Sequence, residues 1–98
     1  MTIETVKKRL PCGSGIDCNW EIDQLKNGAI IAKNSWHIMD EYGMYRGFID
    51  FSLWIPKKPS KEFRITFHTN SKGYYWINKI GLREYLNDLF YDNLNADK

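Results

Sequence analysis

The sequence has little of what membrane-embedded and exported proteins carry. Its longest apolar runs, such as Ala29-Ile30-Ile31-Ala32, span about four residues, against the ~20 needed to cross a bilayer as a helix. Lys7, Lys8 and Arg9 have no hydrophobic stretch behind them, which is not the pattern of a secretory signal, and no Asn-x-Ser/Thr triplet occurs. Only two cysteines are present. These absences predict a cytoplasmic protein that contacts no membrane, with Cys12 and Cys18 as free thiols in a reducing compartment. Nor does charge of one sign dominate: 14 basic against 12 acidic residues leave +2, too weak a balance to imply nucleic acid by itself. Repeats, linkers and low-complexity tracts are lacking too, so the 98 residues predict one domain, 1–98.

What the chain does have is a run of strand-like alternation from residue 29 to residue 69. Three segments, AIIAKNSWHIM, YRGFIDFSLWIP and EFRITFHT, place apolar residues at every second position, the mark of a strand with one buried face. Ile49, Phe51, Leu53 and Ile55 form one apolar file, and Phe63, Ile65 and Phe67 another. Asp40-Glu41-Tyr42-Gly43 and Pro56-Lys57-Lys58-Pro59-Ser60-Lys61 are the turns between them. Residues 16–25 read as a further strand, followed by the hairpin signal Asn27-Gly28. A strict two-residue turn there would put Trp20 and Ile22 on the face opposite Ile30 and Trp36. Either the loop is one residue longer, or both sheet faces are partly apolar, a reading that Ile31, Met39, Phe48 and Trp54 favour.

Helices flank this sheet. Thr2 is placed to cap a short helix to Leu10 with Ile3, Val6 and Leu10 on one side. Pro11-Cys12-Gly13-Ser14-Gly15 ends it. After a turn at Asn70-Ser71-Lys72-Gly73 and an extended piece at Tyr74-Tyr75-Trp76-Ile77, Asn78 can cap a helix over residues 79–95. Leu82, Leu86 and Leu89, flanked by Tyr85 and Phe90, would line its buried side, Glu84, Asp88 and Asp92 its far side, and residues 96–98 fray. The expected fold is α+β: an antiparallel four-stranded meander packed on a C-terminal helix, with a short N-terminal helix.

Catalytic chemistry is sparse. Cys12, Cys18, His37 and His68 make four soft ligands, but the cysteine spacing exceeds that of zinc knuckles, so no metal and no cofactor are expected. A thiol enzyme would use Cys12 as nucleophile and a cross-strand row of Lys33, Asp50 and His68. Cross-strand charge pairing explains that row without catalysis, and no enzyme is predicted. Glycines around Cys12 precede a strand-like, acidic stretch, so the loop reads as a turn and not as a phosphate cradle.

Binding is better supplied. The non-core side of the meander offers Phe48, Trp54, His37, His68, Lys33, Arg46 and Arg64, with Lys57, Lys58, Lys61 and Lys72 in adjoining loops. Aromatics beside basic residues suit single-stranded nucleic acid; the same rings suit a protein interface. The opposing reading is that the N-terminal helix covers them. Glu84, Asp88 and Asp92 could imitate a short row of phosphates toward a basic groove.

Three stretches, RLPCGSGIDCNWEI, SWHIMDEYGMYRGFIDFSLWIP and LREYLNDLFYDNL, resemble small proteins of bacteriophages and prophages of low-GC Gram-positive bacteria. The likeness runs from Arg9 to Leu94 and carries no catalytic motif or assigned activity. It implies a setting in which proteins of this size often block host defences or accompany phage DNA metabolism. The resemblance therefore points to a non-enzymatic protein engaging a bacterial protein, such as a CRISPR-type defence nuclease; an accessory protein for single-stranded nucleic acid is the alternative.

Overall fold

Alternation in the middle of the chain becomes a sheet, and the apolar file of each strand becomes its floor. The computed structural model describes residues 2–13, 15–58 and 63–94. Its elements run α1 (Ile3–Arg9), β1 (Glu21–Gln24), β2 (Ile30–Met39), β3 (Tyr45–Ile55), β4 (Arg64–His68), α2 (Ser71–Lys79) and α3 (Leu82–Leu94). The strands form one antiparallel sheet in chain order, β1-β2-β3-β4. This is the expected α+β meander with its C-terminal and short N-terminal helices. Ser14, residues 59–62 of the expected β3–β4 connection, and residues 95–98 of the expected helix end and frayed tail lie outside the described residues.

One side of the sheet holds the core. Ile30, Ala32 and Ile38 of β2, Ile49, Phe51, Leu53 and Ile55 of β3, and Ile65 and Phe67 of β4 are buried in a single cluster. All three helices feed it: Val6 from α1, Ile77 from α2, and Leu82, Leu86, Phe90 and Leu94 from α3. Each such large apolar side chain stabilises the fold by roughly 1.5–3 kcal/mol before entropy is charged. Thr2 caps α1 as expected, its hydroxyl accepting from Thr5 N at 3.2 Å. Arg9 then donates to Leu94 O at 2.8 Å, joining α1 to the last turn of α3. The N-terminal helix thus packs against β1 and α3 and not over the opposite face, where Phe48 stays 58% exposed.

The β1–β2 register settles the conflict in the sequence. Leu25 N donates to Ala29 O at 2.7 Å across Lys26-Asn27-Gly28, and Gly28 takes φ +90°, which a residue with a side chain adopts reluctantly. The loop is one residue longer than a strict Asn-Gly turn. Ile22 therefore lies opposite Ala32 on the core side, and Trp20 packs edge-on against Phe51 and Phe90 at 5.7 and 5.8 Å.

Two further expectations are corrected. Cys12 and Cys18 are joined in a disulfide, so the argument from free thiols to a reducing compartment loses its premise. Between them Gly13 and Ile16 exchange backbone hydrogen bonds of 2.8 and 3.1 Å, with Gly13 and Gly15 at positive φ; this reversal brings the two Cα atoms to 4.7 Å. Residues 74–77 are helical, not extended. Asn70 caps this helix by accepting from Gly73 N at 3.0 Å, and Ile77 then falls into the core; Asn78, expected to cap the C-terminal helix from residue 79, lies inside α2, and α3 begins at Leu82. Gly81, at φ +65°, turns the chain into α3.

The outer edge of β4 is occupied by side chains. Tyr74 Oη donates to Phe67 O at 3.0 Å and Arg83 Nη1 to Ile65 O at 3.2 Å, while the Arg83 guanidinium lies 4.8 Å from the Phe67 ring centre. Among the described residues no helix is long and apolar enough to cross a membrane.

Candidate functional site

Period-2 geometry sends every second side chain of β2, β3 and β4 to the face away from the helices. Cross-strand pairing sorts that face into rows. Glu21, Lys33, Ser52 and Thr66 form one row; Ser35, Asp50 and His68 form the next; His37 and Phe48 form a third. Lys33 was expected beside Asp50, but the β2–β3 register sets it opposite Ser52 and gives its expected place to Ser35. Asp50 does lie opposite His68. The polar groups are matched across strands: Ser35 Oγ donates to Asp50 Oδ1 at 2.5 Å, and Ser52 Oγ lies 2.8 Å from His68 Nε2.

The first two rows floor an open groove of about 700 Å³. Its outer wall comes from the disulfide-bracketed segment, which continues the sheet along β2 beyond β1. His37 N donates to Gly15 O at 2.9 Å, Ile16 bridges to Trp36, and Asn34 Nδ2 donates to Asp17 O at 2.7 Å. Asp17 Oδ1 in turn accepts from Asn19 N at 3.2 Å, and both residues line the groove. Three carboxylates (Asp17, Glu21, Asp50) face one ammonium (Lys33) there, a local excess of negative charge on a chain of net +2.

Beside the groove stands the tip of the β2–β3 hairpin. Met39, Tyr42, Met44, Tyr45 and Phe48 are each more than half exposed. Tyr45 Oη lies 3.1 Å from His37 Nδ1, and the His37 ring packs within 6.1 Å of Phe48, so these rings join the tip to the groove. Asp40 organises the turn: its Oδ1 accepts from Tyr42 N and Met44 N, each at 2.9 Å, and its Oδ2 from Arg46 at 2.7 Å. The Met44 amide, then the Arg46 and Tyr42 donors, hold the Asp40 carboxyl below its ordinary pKa against the opposing effect of desolvation.

The expected binding residues divide accordingly. Lys33, His37, Phe48 and His68 lie together on the open face. Trp54 and Arg64 share it at the far end, with the guanidinium 5.4 Å from the indole centre. Arg46 leaves it: a bulge pairs Ile38 with Gly47 and Met39 with Tyr45, making Arg46 the extra residue, and Gly47 adopts φ +103°. Its guanidinium sits 5.6 Å from the Trp76 ring on α2. Glu84, Asp88 and Asp92 are exposed on α3, in the helix layer and apart from the groove. Asp17, Asn19, Asn34, Ser35 and Ser52 were missed, as were Tyr42, Met44 and Tyr45. Alternation already placed Ser35 and Ser52 outward; Tyr42 and Met44 carried a signal as large apolar residues flanking a turn glycine.

No protein-family model, curated protein or solved structure matches this chain.

Proposed function

We propose that this is a non-enzymatic binding protein of phage type that engages a bacterial protein in the host cytoplasm, with a CRISPR-type defence nuclease as the partner class. One observation carries the reading: among the described residues the sheet face away from the helices is uncovered, and it ends in exposed Met and Tyr side chains on a turn whose Tyr42 and Met44 amides Asp40 holds. Tyr and Met are enriched in protein interfaces, and a turn whose backbone is ordered before contact loses less entropy on docking. The groove's carboxylates weigh against the single-strand reading, since they would repel a phosphate chain crossing the same face. Cys12 is tied to Cys18 and so is not a free nucleophile, and the groove's Ser, His and Asp groups pair across strands.

The test compares the wild type with a Tyr45→Ala/Phe48→Ala double variant as bait in lysate of a low-GC Gram-positive bacterium. A bacterial protein retained by the wild type and lost by an equally stable variant supports the reading. Equal retention by both sinks it. Tight binding to a labelled single-stranded oligonucleotide that collapses with rising salt would put the nucleic-acid alternative in its place.

A further inference from the structure

The groove's outer wall hangs on a bond that solvent can reach. Cys12 and Cys18 are both exposed, and their disulfide closes the two ends of the stretch that carries Gly15, Ile16 and Asp17. Between those ends, among the described residues, the wall is held to β2 by His37 N to Gly15 O, Asp17 N to Ser35 O at 3.5 Å, the Ile16–Trp36 bridge and Asn34 to Asp17 O, with one buried side chain, Ile16; just outside them Trp20 Nε1 donates to Pro11 O at 2.9 Å. The rest of the core closes without it, through the sheet and the three helices. A segment with one buried anchor and edge-type hydrogen bonds belongs to the low-stability end of a fold, and a short covalent loop is what restrains its opening.

We propose that the Cys12–Cys18 disulfide is a redox-operated latch on the groove: closed, it keeps Asp17 and Asn19 in the wall; opened by a dithiol, it lets the wall swing off β2. The thiolate of an external dithiol attacks one sulfur of the disulfide, forming a mixed disulfide and releasing the other cysteine as a thiolate, which takes up a proton. The second thiol of the reductant then displaces the remaining cysteine. The protein gains two electrons and two protons and ends with two thiols; the reductant ends as a cyclic disulfide. Opening removes one of the groove's three carboxylates and bares the edge of β2 at Ser35 and His37, so the oxidised and reduced chains present different surfaces. The latch does not depend on which partner the groove receives.

The full chain, oxidised and after treatment with dithiothreitol, is compared by amide hydrogen exchange, with thiol alkylation and mass measurement confirming the redox state. In the reduced chain the amides of Ile16 and His37 are expected to exchange at least about tenfold faster, while those in the β3–β4 ladder keep their protection. A Cys12→Ser/Cys18→Ser variant should exchange like the reduced chain in either buffer. Unchanged exchange at Ile16 and His37 on reduction would overturn the proposal. So would an equal rise throughout the β3–β4 ladder, which marks a staple of the whole fold, or failure of the cysteines to pair in an oxidising glutathione buffer.

Discussion

Asp40 and Arg46 clasp the β2–β3 turn: both Nε and Nη2 of Arg46 lie 2.7 Å from Asp40 Oδ2, and the Asp40 side chain is only 4% exposed. The same carboxylate holds the Tyr42 and Met44 amides, so one ionised group orders the turn backbone that carries the largely exposed Tyr42.

Acid should therefore loosen this tip before the core. A carboxyl whose pKa is lowered in the folded state contributes stability that is present above its unfolded pKa and is lost as pH falls through the folded value. At neutral pH the Tyr42 and Met44 amides should be protected; below the ordinary aspartate range they should exchange freely while β3–β4 amides hold. Amide spectra recorded along a pH series check this, and an Asp40→Ala variant should show the loosened tip at every pH.

Glycines in the wall segment separate two kinds of cost. Gly13 and Gly15 both have positive φ, but a Cβ at Gly13 meets nothing within 4 Å, whereas at Gly15 it meets the Trp36 ring at 3.1 Å and His37 O at 3.2 Å. Gly13→Ala should cost about 1–2 kcal/mol, the penalty of the left-handed region alone. Gly15→Ala should cost clearly more and perturb the Trp36 fluorescence. Urea unfolding of both variants measures the difference.

Leu86 is fully buried at the centre of α3. Leu86→Ala should destabilise by roughly 2–5 kcal/mol, and Leu86→Asp, which also buries a charge, should leave no cooperative thermal transition. A circular-dichroism melt decides; a cooperative transition in the Asp variant would mean that α3 is dispensable to the core.

Phe48 and Trp54 should behave differently although both face outward. Phe48 is largely exposed, so Phe48→Ala should change stability by less than about 0.5 kcal/mol. Trp54 is half-buried with Arg64 beside its ring, and its loss should also forfeit a contact of about 0.5–1 kcal/mol. Thermal melts of the two single variants give the comparison.

Much of this architecture was legible because alternation reports burial directly. The file Ile49, Phe51, Leu53, Ile55 lies on the core side as read, and Thr2 caps α1. Legibility stopped where a single backbone decision mattered more than the pattern. Lys26-Asn27-Gly28 took the three-residue loop, and the bulge at Arg46 turned a basic residue off the open face. Aromatic, β-branched composition argued for a strand at residues 74–77, but the Asn70 cap and the burial of Ile77 made a helix. The groove wall was hidden for another reason: Gly13 and Gly15 double the chain back so that two nearby cysteines meet, and the segment then pairs with β2 at Trp36 and His37, a long-range contact that local pattern does not encode.

The occupied margin of β4 has a consequence for how any visitor can be recognised. With the Ile65 and Phe67 carbonyls already accepting from Arg83 and Tyr74, an incoming extended chain would compete with those two side chains to lengthen the ladder. Whatever docks there meets the Arg83 and Tyr74 side chains first. Selectivity on that flank is then written in individual residues, open to revision one substitution at a time.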